Sequence, residues 1–340
     1  MRHRCRRAAL VFSFVAALSA GMTGPAAAWG PEGHAVIALI AQSRISPATQ
    51  RALSSLIGQT TLDQFASCAD QLRDGKAPFV CPGIGQLSPD RTTSAWHFIN
   101  IPVSDDPSAS NLAPYCTRTA SQFNRTDSNK DCVVGQIGSQ LKTLSDASAA
   151  APARRMALMF LVHFVGDAHQ PLHCAERNLP DGRSDYGGNE EAVTLNGSAM
   201  KLHYVWDDLI ETRSQAQDTD VKALARRLIH DIAGRDVRGW IGGNMAADAA
   251  MESFSIAKNT IYPAYDADGG VMSQDYQAKM QPIVYQRLEM AGVRLGAMLD
   301  QALGGGASSP ADSQKRRAAS SMPAPRVPRD LLLQAANLRR

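Results

Sequence analysis

The 340-residue chain has no internal repeat, little strand signal and, beyond its first thirty residues, no apolar run long enough to cross a bilayer. That last absence excludes a membrane-spanning helix in the mature chain. Bulk positive charge is missing as well. The formal charge of +3 includes Arg2, Arg4, Arg6 and Arg7 of a leader, and without them the remainder stands at −1. Beyond Gly304, Lys315, Arg316, Arg317, Arg326, Arg329, Arg339 and Arg340 face only Asp312 and Asp330, which leaves the body of the chain near −6. A basic footprint for duplex DNA is therefore excluded. Any polyanion has to be held by something other than bulk charge, and metal ions are able to do that.

What is present begins with the leader. Arginines precede a mostly apolar stretch from Ala8 to Ala20, and Ala26-Ala27-Ala28 supplies small residues for a signal peptidase. Cleavage after Ala28 makes Trp29 the first residue of a secreted or periplasmic protein. Of six cysteines, Cys5 leaves with the signal. In an oxidising compartment the remainder are expected to pair. The local pairs are Cys68 with Cys81 and Cys116 with Cys132, each closing a loop, and Cys174 is left over.

Helical patterns cover 34–43, 47–57, 61–74, 133–147, 152–175, 200–213, 219–233, 244–259 and 274–302. Ser46 is placed to cap the second of these, with Pro47 in its first turn. From Lys76 to about Asp131 the texture turns to Pro, Ser, Asn, Asp and Gly, which predicts a long disulfide-held loop region. Residues 191–195 predict a short hairpin arm. The architecture expected is all-α: a leader at 1–28, one mostly helical domain at 29–303, and a disordered basic tail at 304–340, most simply read as solvated.

The histidines carry the chemistry. "HFVGD" sets His163 and Asp167 at i, i+4, and "HYVWD" repeats the spacing with His203 and Asp207. On a helix this puts imidazole and carboxylate on one face, one turn apart, able to share an ion. One such pair is often only a surface interaction; two, with His173 at a bend after Pro171, point to metal. Nitrogen and carboxylate donors together suit zinc, which takes about four ligands. Trp29, His34, Asp70, His97, His163, Asp167, His173, His203 and Asp207 are the candidate ligands, too many for one ion. Blander readings stand beside some of them: Asp70 as a partner of Arg73, and His97, between Trp96 and Phe98, as a core histidine. His169 and His230 keep the blander reading, with a role for His169 in orienting a ligand from behind as the alternative.

"WGPEGH", "ADQLR", "WHFIN", "HFVGDAHQPLH", "YGGNE" and "LHYVWDD" occur in the order found in the single-strand-specific, zinc-dependent nuclease/3′-nucleotidase family of S1/P1 type. That family is related in fold to bacterial zinc phospholipase C. The resemblance spans residue 29 to about 303. It implies three zinc ions: one held by His34 and by the α-amino group and carbonyl of Trp29, one by Asp70, His97 and His163, with Asp167 shared between these two, and one by His173, His203 and Asp207. Signal cleavage would then complete the active site, because a ligating amine must be free. The resemblance implies in-line hydrolysis of single-stranded DNA and RNA to 5′-phosphorylated products, with water activated between the two closest ions. Asp70 would orient that water, the third ion would stabilise the departing 3′-oxygen, and Arg73 would stabilise phosphoryl charge. For Arg73 an i, i+3 salt bridge to Asp70 stays equally open.

Asn100, Asn189 and Asp208 are the candidate substrate-binding residues. Asn100 stands where the family often has aspartate, which puts base preference in doubt. The resemblance implies no protein partner and a monomer. Two other readings remain: a phospholipase C using the same ions, and a zinc-sequestering protein without catalysis. "YGGN" at Tyr186–Asn189 and Arg73 tilt toward the nuclease, and Asp70, suited to activating water, argues against sequestration.

Overall fold

The computed structural model describes residues 29–123, 131–214 and 220–304. The expected signal segment and the tail beyond Gly304 lie outside the described residues. Eleven α-helices run through the described chain: α1 (Pro31–Gln42), α2 (Pro47–Ile57), α3 (Cys68–Asp74), α4 (Ala113–Gln122), α5 (Val133–Ser145), α6 (Ala151–His169), α7 (Leu202–Ser214), α8 (Val221–Ala233), α9 (Met245–Ile256), α10 (Tyr262–Ala267) and α11 (Gln274–Leu303). Among the described residues no helix is long and apolar enough to cross a membrane. The protein is all-α with small sheets attached, as the periodicity predicts.

The core is built around α6. Every residue from Ala157 to His169 is buried, the pattern of a helix apolar on all sides rather than along one stripe. Helices α1, α5, α9 and α11 pack around it. Two glycines set the distances of approach. A Cβ at Gly166 would lie 2.7 Å from the His34 ring, so only glycine lets α1 lay that histidine on α6. Likewise a Cβ at Gly292 would lie 2.5 Å from the Ile40 side chain, and its absence lets α11 close on the other side of α1. Such contact is worth having only if the polar groups buried with it find partners. His163 and Asp167 sit in the middle of this apolar helix.

Local signals place the ends of the elements. Ser46 caps α2 by accepting from the Thr49 N–H, with Pro47 in the first turn, as its sequence predicts. The pattern at 152–175 ends as a helix at His169, because Pro171 cannot continue it and instead opens a 3₁₀ turn at Pro171–His173. The pattern at 200–213 starts late because Lys201 closes a strand.

Three short strands, in the order β4 (Ser198–Lys201), β3 (Ala192–Leu195) and β5 (Val271–Met272), form one sheet. The β3–β4 hairpin turns on Asn196 and Gly197, at φ 51° and 81°, the positive values a two-residue Asn-Gly turn requires.

The region between Lys76 and Asp131 is more structured than its composition suggests. It holds an antiparallel hairpin of β1 (Phe79–Cys81) and β2 (Gly85–Leu87), a 3₁₀ segment Arg91–His97, and α4. Helix α4 has no long apolar stripe; Pro114 starts it, and it buries little more than Cys116, Thr119 and Ala120. Both expected disulfides are present, Cys68–Cys81 and Cys116–Cys132, and Cys174 is free and buried.

Candidate metal centre

Among the described residues three clusters of histidine and carboxylate form at the heart of the fold: Asp70, His97 and His163; His34, His163 and Asp167; and His173, His203 and Asp207. All eight residues are at most 9% exposed. They come from α1, α3, the 3₁₀ segment 91–97, α6, the turn 171–173 and α7. The i, i+4 spacing performs as expected: His163 with Asp167 on α6, and His203 with Asp207 on α7, face the same points in space.

The first cluster has the dimensions of a tetrahedron. His97 Nδ1 lies 3.0 Å from Asp167 Oδ2 and 3.6 Å from Asp70 Oδ1. His163 Nε2 lies 3.4 Å and 3.3 Å from the same two oxygens. A tetrahedral zinc with bonds of about 2.0–2.1 Å separates its donors by about 3.3 Å. The other oxygen of Asp167 turns to His34 Nε2 at 3.4 Å, so one carboxylate bridges two positions. The His34 ring stacks on that of His163, centroids 3.9 Å apart. In the third cluster His173 Nε2 and His203 Nε2 approach to 3.1 Å, with Asp207 oxygens 3.9 Å and 3.6 Å away.

Backbone carbonyls aim three of the rings. The Nδ1–H of His163 donates to Ala66 O at 2.8 Å, that of His173 to His97 O at 2.9 Å, and that of His203 to Gly187 O at 2.6 Å. Each bond fixes a tautomer whose Nε2 lone pair points into the cluster. Several inward atoms nevertheless lack any hydrogen bond: His34 Nε2, His163 Nε2, Asp70 Oδ1, Asp167 Oδ1 and Asp207 Oδ2. Orphaned buried donors and acceptors are costly. Five such atoms converging on three points is what a set of metal ligands looks like without its ions.

The electrostatics of the bare protein differ between clusters. Burial disfavours a charge on His163, but Asp167 and Asp70 on either side override it and raise the imidazole to about 9. Burial likewise works against ionised Asp70, yet His163 and then Arg73 hold it well below the carboxylate range. Asp167 is held low by His163, His34 and His97 against the same burial. In the third cluster burial outweighs the hydrogen bonds that oppose it. It lowers His173 well below its ordinary value and His203 to about 4, and it pushes Asp207 well above the carboxylate range.

The other expected residues are placed as follows. Arg73 pairs with Asp70 at 3.1 Å and with Asp74 at 2.6 Å, so the salt bridge exists and leaves the guanidinium beside the first cluster. Trp29 is fully buried, and its neighbour Gly30 lies against Asp207 and Asp208. Asp208 is half-buried and bonded to Tyr204. Asn189 donates to Tyr186 O, and Asn100 is buried with its amide donating to Gln122 Oε1 at 2.6 Å. His169 touches no ligand side chain; it donates to Val165 O and lies 3.0 Å from Arg294. Exposed His230 lies outside the centre. Sequence reading missed Gln170, which is fully buried and bonded to Asp207; its place between His169 and Pro171 in "HQPLH" is the signal that was available.

Known proteins resemble this chain over most of its length. Endonuclease 2 of Arabidopsis thaliana is 28% identical over 297 residues, covering 81% of this chain and 91% of that protein. Nuclease P1 of Penicillium citrinum is 28% identical over 225 residues, 64% of this chain and 73% of its own. Nuclease S1 of Aspergillus oryzae is 26% identical over 287 residues, 80% and 91% respectively. Residues 29–304, which hold all three clusters, match the S1/P1 Nuclease family from end to end of the described fold, and to that family the chain belongs.

Proposed function

We propose that this protein is a secreted or periplasmic zinc-dependent endonuclease that cleaves single-stranded DNA and RNA to 5′-phosphorylated products and acts as a 3′-nucleotidase. The observation that carries the reading is the near-tetrahedral set of Asp70, His97, His163 and Asp167, in which the facing atoms of Asp70 and His163 have no hydrogen-bond partner. These four would hold one zinc. His34 and Asp167, with the amine and carbonyl of Trp29, would hold a second, and His173, His203 and Asp207 a third. The donor chemistry fits: neutral imidazoles and carboxylates are ligands zinc accepts.

Bound zinc supplies Lewis acidity and a water acidic enough to be a nucleophile at neutral pH. The chain's own residues do the rest. Asp70, with Oδ1 toward His163, would orient the attacking water as a base. Arg73, anchored by Asp74, offers positive charge to the phosphoryl oxygens as they gain negative charge. Asn100, Asn189 and Asp208 would bind the base. Depth explains the preference for single strands, since a paired base cannot reach buried ligands without leaving its stack.

The test uses mature protein beginning at Trp29 and denatured DNA. Release of acid-soluble nucleotide should vanish on chelation and return with zinc, while lecithin is left intact. Cleavage that survives exhaustive chelation would overturn the reading. One extra residue before Trp29 should abolish cleavage without changing the circular dichroism spectrum; full activity of that extended protein would remove the amine from the ligand set.

A further inference from the structure

Gln170 joins two parts of the third cluster that come from separate elements. It follows the last residue of α6 and precedes the turn 171–173 that carries His173, while Asp207 stands on α7. The side chain is fully buried. Its Oε1 accepts from the Leu172 N–H at 2.5 Å, and its Nε2 donates to Asp207 Oδ1 at 2.6 Å.

The first bond decides the second. A backbone N–H can only donate, so the amide must give it the carbonyl oxygen, and the NH2 group is left to face Asp207. There it engages Oδ1 alone. Asp207 Oδ2 keeps no hydrogen bond and lies 3.6 Å from His203 Nε2. One amide thus caps the turn holding His173 and selects which oxygen of Asp207 is offered to an ion.

We propose that Gln170 is the positioning residue of the His173–His203–Asp207 site, fixing Asp207 as a ligand through Oδ2 in register with His173. The inference rests on the metal-centre reading above. Outer hydrogen-bond partners of this kind change metal affinity by about 10–100-fold. The effect should be confined to one ion, because the Gln170 side chain bonds to no ligand of the other two clusters; only its backbone N–H, which a substitution leaves in place, donates to Asp167 O at 3.0 Å.

Capping and positioning can be separated. Asparagine is among the best capping residues, but its side chain is one methylene shorter and cannot reach both Leu172 and Asp207. Q170N should therefore keep the fold and lose the ion. Metal-free wild type and Q170N would be titrated with zinc in competition with a chelator, with stoichiometry read by elemental analysis and folding by circular dichroism. Wild type should take three zincs. Q170N should take two with wild-type affinity and the third about 10–100-fold more weakly. Wild type that binds no zinc would overturn the metal-centre reading and this inference with it. Wild type and Q170N binding three zincs equally would overturn this inference alone. Q170M, apolar and of similar length, serves as a second variant with the same expected pattern, and retention of two tight zincs shows that it has folded.

Discussion

The two ends of the metal centre solve the same problem differently. Around α6, opposite charges are pressed together: His163 lies between Asp70 and Asp167, and Arg73 closes the group from α3. Around α7, two imidazoles and a carboxylate all lean toward their neutral forms, because burial penalises their charges and no opposite charge outweighs it. The α6 group is partly compensated before any ion arrives, since a proton on His163 occupies the role a metal would take. The α7 group depends on neutral hydrogen bonds, from His97 O, Gly187 O and Gln170. Buried charge can be tolerated either by pairing or by neutralisation, and this protein uses one device on each side of the same cleft.

The largest effect that would sharpen this contrast is in metal content. Asp167 bridges, so Asp167→Ala should lose two of three zincs and all cleavage, whereas His203→Ala should lose one. Equal losses, measured on purified proteins after dialysis, would break the distinction between a shared and an unshared ligand. Next in size is Arg73→Ala, expected to lower kcat about 10²–10³-fold at saturating zinc. Arg73→Lys should recover part of that, keeping the charge but not the fork that grips Asp74. An unchanged kcat would reduce Arg73 to a salt-bridge partner.

The smallest effect concerns the metal-free protein and pH. A histidine raised from 6.5 to about 9 favours the fold fully below pH 6.5 and gives up that contribution as pH climbs through 9. Melting temperature of chelated protein should fall across that window, and His163→Gln should flatten the fall. A slope unaffected by that substitution would mean that the α6 group is not held together by the imidazolium.

Much of the centre was legible because helical spacing turns sequence into geometry. His163–Asp167 and His203–Asp207 needed only the rise of a helix to become paired ligands. His34 and Asp70 could be nominated, but the pairing of α1 with α6 depends on the absent Cβ of Gly166, which looks like any other glycine in a list. The carbonyls of Ala66, His97 and Gly187 that aim the rings have no side-chain signature at all. Gln170 was overlooked because an amide between two motif histidines reads as spacer. Asn100 was nominated as a base contact, and its bond to Gln122, with Gln122 in turn donating to Glu176 at 2.7 Å, joins residues too far apart in the chain for spacing to reveal. Helix α4 and the β1–β2 hairpin were read as loop because each is short and stabilised by a disulfide rather than by an apolar face.

Asp70 and Arg73 ride on a helix of only seven residues, well below the length at which a helix is stable alone. Its first residue, Cys68, is bonded to Cys81 in the hairpin. The consequence is practical for anyone producing this protein. Made in a reducing cytoplasm, it can bury its central helix and pass every check of helical content while the short helix that presents its reactive carboxylate hangs without its tether. Low specific activity in such a preparation would report on the host's redox chemistry, and refolding in a thiol–disulfide buffer should come before any change of substrate.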